Sequence, residues 1–266
     1  MSATGAAAGL QRKPGFAVAA RLGHAVNGLL HLLIGVIAFR LATGGGGGEA
    51  DQSGALGSIA GSPGGRVLLW VVVVGLLGLG LWQLVETVLA RGEDAKRTWA
   101  ARAKELGKAV AYLAIAATAL RFAMGGSSDS SEQTQSLSAR LLEAPGGVVL
   151  LVVLGLAVVA VGVYFGFKGA TKRFRDDLAV PAGSIGRGIT ALGVAGYVAK
   201  GVALVAVGVL FVVGAVTADP SRATGLDGAL QSLAGLPAGV AVLAITGLGL
   251  IAYGLYCGAR ARYAKL

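Results

Sequence analysis

The chain has 266 residues, of which 55% are hydrophobic, only 14% are charged and 45 are glycine. The hydrophobic residues form long unbroken runs, a pattern typical of membrane spans and not of a soluble core. A formal net charge of +10 would indicate nucleic-acid binding in a soluble protein. In a membrane protein basic cytoplasmic loops explain that charge, so we expect no nucleic-acid partner.

The first apolar run follows a small, polar segment at residues 1–20, which we predict to be a disordered cytoplasmic tail. A secretory signal is the alternative interpretation of this region. However, the run is interrupted by Arg21, His24, Asn27 and His31 and has no small-residue cleavage site. We therefore expect a retained span at 21–42. Later runs predict spans at 66–90, 105–124, 147–169, 191–217 and 238–259.

Three of these runs are copies of one sequence, beginning near Pro63, Pro145 and Pro237. The same positions after each proline carry a glycine, an aromatic residue and a charge: Gly80, Gly162 and Gly254; Trp82, Tyr164 and Tyr256; Glu86, Lys168 and Arg260. The spans that precede them align on Gly23, Gly107 and Gly196. The loop before each proline has apolar residues at helical spacing, which predicts a short amphipathic helix. We expect the proline to begin the following span.

This repetition predicts an all-α membrane protein of six transmembrane helices. They would form three parallel tandem helical hairpins with pseudo-threefold symmetry about the membrane normal. The predicted repeats cover 21–98, 99–182 and 183–266. They should fold as one unit, because a single repeat cannot bury its small-residue face.

The distribution of Lys and Arg predicts the orientation. Seventeen basic residues fall in the tail, in the loops after spans two and four, and at the C-terminus, whereas five fall on the opposite side: Arg40, Arg66, Arg121, Arg140 and Arg222. Basic residues concentrate in cytoplasmic segments. We therefore predict a multi-pass protein of the bacterial cytoplasmic (inner) membrane with both termini in the cytoplasm.

The third repeat begins Gly196, Tyr197, Lys200, Gly201, and each repeat has a P-x-G element before its second span. This pattern resembles a bacterial membrane family known as domain of unknown function 1206, whose hallmark is G-Y-x-x-R-G followed by a loop ending in P-x-G. The first repeat carries His24 and Asn27 at the aromatic and basic positions. The resemblance implies a two-helix transmembrane unit present three times, and it brings no assigned activity.

Polar groups within the spans are the candidate functional residues, because ionisable groups are costly in a bilayer. The predicted polar or ion-pair cluster consists of His24, Asn27, Glu86, Lys108 and Lys200. One interpretation is a structural ion pair with side chains that reach the inner interface. The other is a polar vestibule in which Glu86 and His24 exchange protons or contact a solute.

His31 is a weak candidate ligand. On a helix it lies ~10 Å from His24 along the axis, too far for both to bind one zinc ion at ~2 Å. The chain has one cysteine, Cys257, so an internal disulfide or a cysteine zinc site is excluded. We therefore predict no metal and no cofactor, while a haem with one axial histidine stays open.

The remaining patterns favour structure over catalysis. Trp82, Tyr164 and Tyr256 fit an interfacial aromatic belt. The small residues expected at helix contacts are Gly80, Gly162, Gly166, Gly254 and Gly258. No serine or cysteine has a histidine and a carboxylate placed to activate it, so we predict no catalytic residue.

Three functions fit the sequence, in this order: a non-enzymatic scaffold or accessory subunit of a membrane complex, a small channel or transporter along the pseudo-threefold axis, and a haem-binding or other membrane enzyme. Lipid is the expected partner in each case. Other membrane proteins are candidate partners.

Overall fold

The computed structural model describes residues 14–45, 48–90 and 94–265. Over these ranges the chain is helical, with nine α-helices and two short 3-10 turns at Arg173–Asp177 and Pro220–Arg222. The α-helices are α1 Pro14–Ala42, α2 Gln52–Ala60, α3 Gly65–Leu89, α4 Ala95–Ala123, α5 Ser130–Glu143, α6 Gly147–Ala170, α7 Gly183–Val216, α8 Gly225–Ala234 and α9 Gly239–Tyr263.

Six of these helices are long and apolar enough to cross a membrane. They match the predicted spans, with α1, α4 and α7 beginning earlier than expected. Residues 14–20 of the predicted tail belong to α1, whereas residues 1–13 of that tail, with Arg12 and Lys13, lie outside the described residues. The candidate spans are Ala17–Ala42, Gly65–Leu89, Ala95–Ala123, Gly147–Ala170, Gly183–Val216 and Gly239–Tyr263.

The P-x-G element is a turn between a short helix and a span. The three short helices α2, α5 and α8 end just before Pro63, Pro145 and Pro237, where short helices are predicted. The residue after each proline is left-handed, with φ of 74° at Gly64, 75° at Gly146 and 59° at Ala238. Each span therefore begins two residues after the proline, directly after the turn, and not at the proline as expected.

The final glycine of this element is required by a close backbone approach. A Cβ at Gly65 would collide with the carbonyl oxygen of Ile59, and a Cβ at Gly147 with that of Leu141. Any larger residue would push the span away from the short helix before it. The repeated glycine thus has a structural explanation that does not depend on function.

The described chain divides into two compact units. Unit 1 comprises Met1–Leu29, Ile59–Ser127 and Cys257–Leu266. In it the first half of α1 packs on α3, where a Cβ at Gly23 would lie 2.5 Å from the carbonyl oxygen of Gly75. The helix α3 also packs on α4, where a Cβ at Gly80 would lie 2.8 Å from Leu113. Small residues therefore allow close helix contacts in unit 1, as they do in other membrane proteins.

Unit 2 comprises Leu30–Ser58 and Ser128–Tyr256. Its helices α6 and α7 meet backbone to backbone, because a Cβ at Gly155 would lie 2.8 Å from the carbonyl oxygen of Gly208. The second half of α1 meets α9 in the same way, with 2.7 Å between a Cβ at Gly35 and the carbonyl oxygen of Gly247. Glycine at these positions brings the helix axes together and buries the backbone.

Helices of neighbouring repeats are thus in close contact. α3 and α4 come from repeats one and two, α6 and α7 from two and three, and α9 and α1 from three and one. Contacts within a repeat also occur, between α1 and α3 in unit 1 and between α7 and α9 in unit 2, where Gly196 lies against Tyr253. In the second repeat, α4 belongs to unit 1 and α6 to unit 2.

Candidate functional site

The candidate site in unit 2 is a histidine–lysine pair in the central parts of two spans. Nζ of Lys200 on α7 lies 3.0 Å from Nε2 of His31 on α1. Both side chains are half-buried. The pair joins residues 169 positions apart in the chain, so it depends on the packing of the first span within unit 2.

The chemistry of the two groups limits their protonation. An ammonium group is a donor only, so a charged Lys200 requires an unprotonated Nε2 on His31 with the proton on Nδ1. If instead His31 were charged, the amine of Lys200 would have to accept its proton. Two positive charges at 3.0 Å would repel each other strongly. A hydrogen bond between these two nitrogens therefore requires at least one of them to be unprotonated.

Aromatic rings surround this positive charge. Nζ of Lys200 lies 4.5 Å from the ring centroid of Tyr253 and 5.3 Å from that of Phe165. The rings of His31 and Tyr253 are 4.8 Å apart. The negative faces of aromatic rings attract cations, and more strongly where water is scarce. Tyr253 and Phe165 thus stabilise the charged form of Lys200.

The aromatic cluster extends beyond the pair to Phe174, Tyr197 and Tyr256, all of them buried. Phe174 stacks on Tyr197 at 5.3 Å, and Tyr256 meets Tyr197 edge to face at 5.4 Å. Such offset and edge-to-face pairs stabilise a core beyond the area they bury. The cluster fixes the ring of Tyr253 beside Lys200, since Tyr197 and Tyr253 also pack edge to face at 5.3 Å.

A second lysine of unit 2 has a carboxylate partner. Nζ of Lys168, at the end of α6, lies 2.7 Å from Oδ2 of Asp177 in the turn that follows. Only the cationic partner of this ion pair was singled out from the sequence. Asp177 is one of two adjacent aspartates in a basic loop, and its proximity to Lys168 results from the 3-10 turn at Arg173–Asp177.

Unit 1 contains the other polar residues predicted within the spans. His24 and Asn27 are buried, and the amide of Asn27 donates to Sγ of Cys257 at 3.5 Å. Lys108 donates to Glu105 at 2.6 Å, and its charge and that of Arg260 act on His24. Glu86 is half-buried on α3. The structure thus brings His24 near Lys108 in unit 1, while Lys200 pairs with His31 in unit 2.

The repeats place these polar residues at equivalent positions. Asn27 in the first repeat occupies the position of Lys200 in the third. Asn27 contacts Cys257 and Lys200 contacts Phe165, and these two partners also occupy one repeat position. Phe165 lies on the second span of repeat two and Cys257 on that of repeat three, which precedes repeat one if the repeats are taken in cyclic order. The remaining pair would be Ala111 and Gln83, and Oε1 of buried Gln83 has no hydrogen-bond partner. This repeat position therefore has a different role in each repeat. Asn27 donates to a thiol, Lys200 lies over an aromatic ring, and Ala111 has no polar side chain.

The residues of the predicted aromatic belt differ in burial, and the predicted packing glycines differ in how close the neighbouring atoms lie. Trp82 and Tyr256 are buried, whereas Tyr164 is 46% exposed. A Cβ at Gly162 would lie 2.8 Å from the carbonyl oxygen of Gly201, and one at Gly201 would lie 2.8 Å from the backbone nitrogen of Gly166. Gly254 is buried, and a Cβ at Gly258 would meet nothing within 4 Å. The belt itself stays a prediction.

The pair also bears on the haem hypothesis. Nε2 of His31 is engaged by Lys200, and this nitrogen would have to leave Lys200 before it could bind an iron. Within the described ranges, no group of three or more His, Cys, Asp or Glu side chains is arranged to hold a metal ion.

Tyr253 and Phe165 were not singled out from the sequence, although the repeat alignment carries a signal for Phe165. It occupies the position of Gln83 and Cys257, which faces the polar position of the next repeat. Tyr253 has no such signal, since leucine and valine take its place in the other repeats, at positions 79 and 161.

The six apolar spans and the absence of strands from the described residues define the chain as a multi-pass α-helical membrane protein. It belongs to the family described as Domain of Unknown Function (DUF1206), whose model matches three times, at residues 22–90, 104–172 and 195–264. One match falls within each of the three predicted repeats.

A relative in Bacillus subtilis (strain 168), the "Uncharacterized protein YxxB", is 33% identical over 253 residues. The alignment covers 92% of this chain and 90% of the relative. No solved structure matches the chain.

Proposed function

We propose that the three repeats form hairpins related by a pseudo-threefold axis along the membrane normal. Equivalent glycine contacts support this arrangement. The repeat alignment places Gly155 at the position of Gly247, and Gly208 at the position of Gly35. Gly155 meets Gly208 backbone to backbone, and Gly247 meets Gly35 in the same way. Their neighbours correspond as well, since Gly208 faces the backbone nitrogen of Val159 and Gly35 that of Ile251. In unit 1 the same two positions are Val73 and Ala119, both buried.

The orientation proposed from the sequence places both termini in the cytoplasm of a bacterial cell, with α2, α5 and α8 on the outer side. Its support is the ratio of seventeen to five basic residues between the two sides and the bacterial origin of the relative.

Within this frame we propose a non-enzymatic role, as a scaffold or accessory subunit in the cytoplasmic membrane. One observation carries this proposal: three pairs of polar groups in the spans are engaged with each other, two of them between helices and one within α4. His31 binds Lys200, Asn27 binds Cys257, and Lys108 binds Glu105. Polar groups that hydrogen-bond across membrane helices stabilise the bundle, and they need no solute to satisfy them.

One cavity of unit 2 is separate from these polar groups. It has a volume of about 450 Å³ and lies at α5, lined by Leu137, Arg140, Leu154 and Phe211 among others. A transporter would be expected to place its cavity at a midplane site. This cavity lies beside the short helix α5 and is not such a site.

A proton-linked transporter is the second candidate, because one observation favours it. His31 and Lys200 are two titratable groups in hydrogen-bond contact within the spans, and such pairs can relay a proton. The two proposals make opposite predictions for proton flux.

The test is proton flux into proteoliposomes under an imposed pH gradient, followed by an enclosed pH-sensitive dye. The scaffold predicts the same decay of the gradient with the protein as with empty vesicles. Its control variant, Lys172→Met, removes an exposed lysine outside the spans. Flux above the lipid background that Lys200→Met abolishes and Lys172→Met retains would contradict the scaffold and establish the transporter.

A further inference from the structure

Four carboxylates of unit 2 meet at the ends of its short helices. Glu49 and Asp51 precede α2, Asp129 caps α5, and Asp227 lies in the first turn of α8. These residues come from all three repeats. Asp51 and Asp227 are buried, with 1% and 6% of their surface exposed. Buried carboxylates require hydrogen-bond donors or cations nearby.

Hydrogen bonds join the same segments. Oδ1 of Asp227 accepts from the backbone nitrogen of Ala50 at 2.7 Å, which ties α8 to the segment before α2. The hydroxyls of Ser53 and Ser130 lie 2.5 Å apart, which ties α2 to α5. The carboxylates therefore lie at a junction where the loops of three repeats are held together.

Helix capping accounts for part of this arrangement. Oδ1 of Asp51 accepts from the backbone nitrogen of Gly54 at 3.0 Å, and Oδ1 of Asp129 accepts from that of Glu132 at 2.8 Å. Aspartate is favoured at helix N-termini because it satisfies free N–H groups and meets the positive end of the helix dipole. Capping uses one oxygen of each of these two aspartates.

Two further observations go beyond capping. The carboxyl groups of Glu49 and Asp129 lie close enough to interact. Two ionised carboxylates repel each other and have no donor between them, whereas a proton on either one allows a hydrogen bond between the two. In addition, Oδ2 of Asp51 is buried and has no hydrogen-bond partner. A charged oxygen in that position is costly, whereas a protonated one is not.

The charges around these groups act in the same direction. Burial, followed by the charge of Asp51 and the proximity of Asp129, raises the pKa of Glu49 to about 7. Burial, with the charges of Asp227 and Asp129, raises the pKa of Asp51 to about 6 against the opposing bond from Gly54. The charged groups that act most strongly on both are carboxylates, from α5 and α8 as well as from their own segment.

We propose that Glu49, Asp51, Asp129 and Asp227 form a proton-binding site that holds the short-helix segments of the three repeats together. With its protons bound, the Glu49–Asp129 bond forms and the buried oxygen of Asp51 is neutral. Without them, four negative charges repel one another across the junction and the segments separate. The ligand is the proton itself.

The test is the unfolding temperature of the protein in lipid nanodiscs between pH 5 and pH 8. The folded protein binds these protons more tightly than the unfolded chain, so the stabilisation is complete at low pH. It is lost as the pH rises through the pKa values of about 6 for Asp51 and about 7 for Glu49. We expect the unfolding temperature to fall by several degrees over this range.

The double variant Glu49→Gln and Asp51→Asn carries neutral isosteres of the protonated groups. We expect it to flatten the pH profile and to raise the unfolding temperature at pH 8 above that of the natural protein. The matched control Glu143→Gln removes an exposed carboxylate at the end of α5 and should keep the natural profile. A double variant that retains the full pH dependence would overturn the proposal.

Infrared spectroscopy of the natural protein gives a second test, which can be carried out even if the double variant does not fold. We expect a protonated-carboxyl C=O band at pH 5.5 that is lost by pH 8 and is weaker in Asp51→Asn. Absence of this band would overturn the proposal. So would stabilisation by millimolar Ca²⁺ at pH 8 that the double variant lacks, because the cluster would then take a metal ion in place of protons.

Discussion

At the scale of single residues, the protein places a lysine and a histidine in contact within its spans. Lys200 also lies over the ring of Tyr253, and the face of an aromatic ring stabilises a positive charge. The arrangement is sensitive to loss of His31, because a charge left without its acceptor keeps its desolvation penalty.

A double-mutant cycle tests this dependence. We expect His31→Phe to destabilise the protein by about 1–3 kcal/mol, because Lys200 loses this acceptor. Lys200→Met keeps an unbranched stem against Phe165 and Tyr253 and removes the charge, so its effect should be close to neutral or stabilising. The double variant should recover most of the stability lost in His31→Phe, as measured by thermal unfolding in detergent.

Additive effects of the two substitutions would contradict the coupling between His31 and Lys200. Lys172→Met is the control, since the exposed lysine in the loop after α6 should change neither the unfolding temperature nor the cycle.

At the scale of helices, the contacts depend on glycine at positions where two backbones meet. On α7, a Cβ at Gly208 would lie 2.6 Å from the carbonyl oxygen of Gly155, and a backbone atom cannot rotate away as a side chain can. On the same helix, a Cβ at Gly188 would meet nothing within 4 Å. One helix thus provides both a required and a replaceable glycine.

We predict that Gly208→Ala destabilises the protein by about 1–3 kcal/mol, because the α6–α7 contact must open to admit a methyl group. The matched variant Gly188→Ala should be neutral or stabilising by up to about 1 kcal/mol, since alanine is the better helix former. Thermal unfolding of both variants in the same detergent gives the comparison. Equal unfolding temperatures would show that α6 and α7 are not in backbone contact.

At the scale of the whole molecule, the three repeats are expected to enter the membrane in the same orientation. Each has two spans, so the short helices α2, α5 and α8 should lie on one side and the basic loops on the other. The carboxylate junction described above requires the three short helices to lie on the same side of the membrane, because its members come from all three short-helix segments.

Cysteine labelling in whole cells tests this topology. In a Cys257→Ala background, single cysteines replace the exposed residues Ser62, Glu143 and Leu236. We expect all three to react with a membrane-impermeant maleimide from outside the cell. Lys172→Cys should react only after the membrane is opened. Reaction of Ser62→Cys and Glu143→Cys from opposite sides would contradict the parallel repeats.

Much of the fold is predictable because its signals are local. Six spans follow from unbroken apolar runs, and the P-x-G element predicts each junction between a short helix and a span. The start of the span was misplaced, because a proline is compatible both with the first helical turn and with the turn before it. The φ of 74° at Gly64 and 75° at Gly146 identifies the second case.

The candidate site was predictable only in part. Lys200 and His31 were both singled out, yet the sequence grouped Lys200 with His24 and Glu86 on the basis of expected depth. Depth in the membrane does not specify which face of a helix a residue occupies or which helix it meets. The carboxylate junction had no sequence signal, because its members occupy different positions in the three repeats.

The sequence by itself determined the number of spans, the repeats and the glycines, because hydrophobicity and repetition act along the chain. Only the tertiary structure decided that Lys200 meets His31 and that Glu49 meets Asp129. These contacts join helices and loops from different repeats, and their distances depend on how closely glycine lets neighbouring backbones approach.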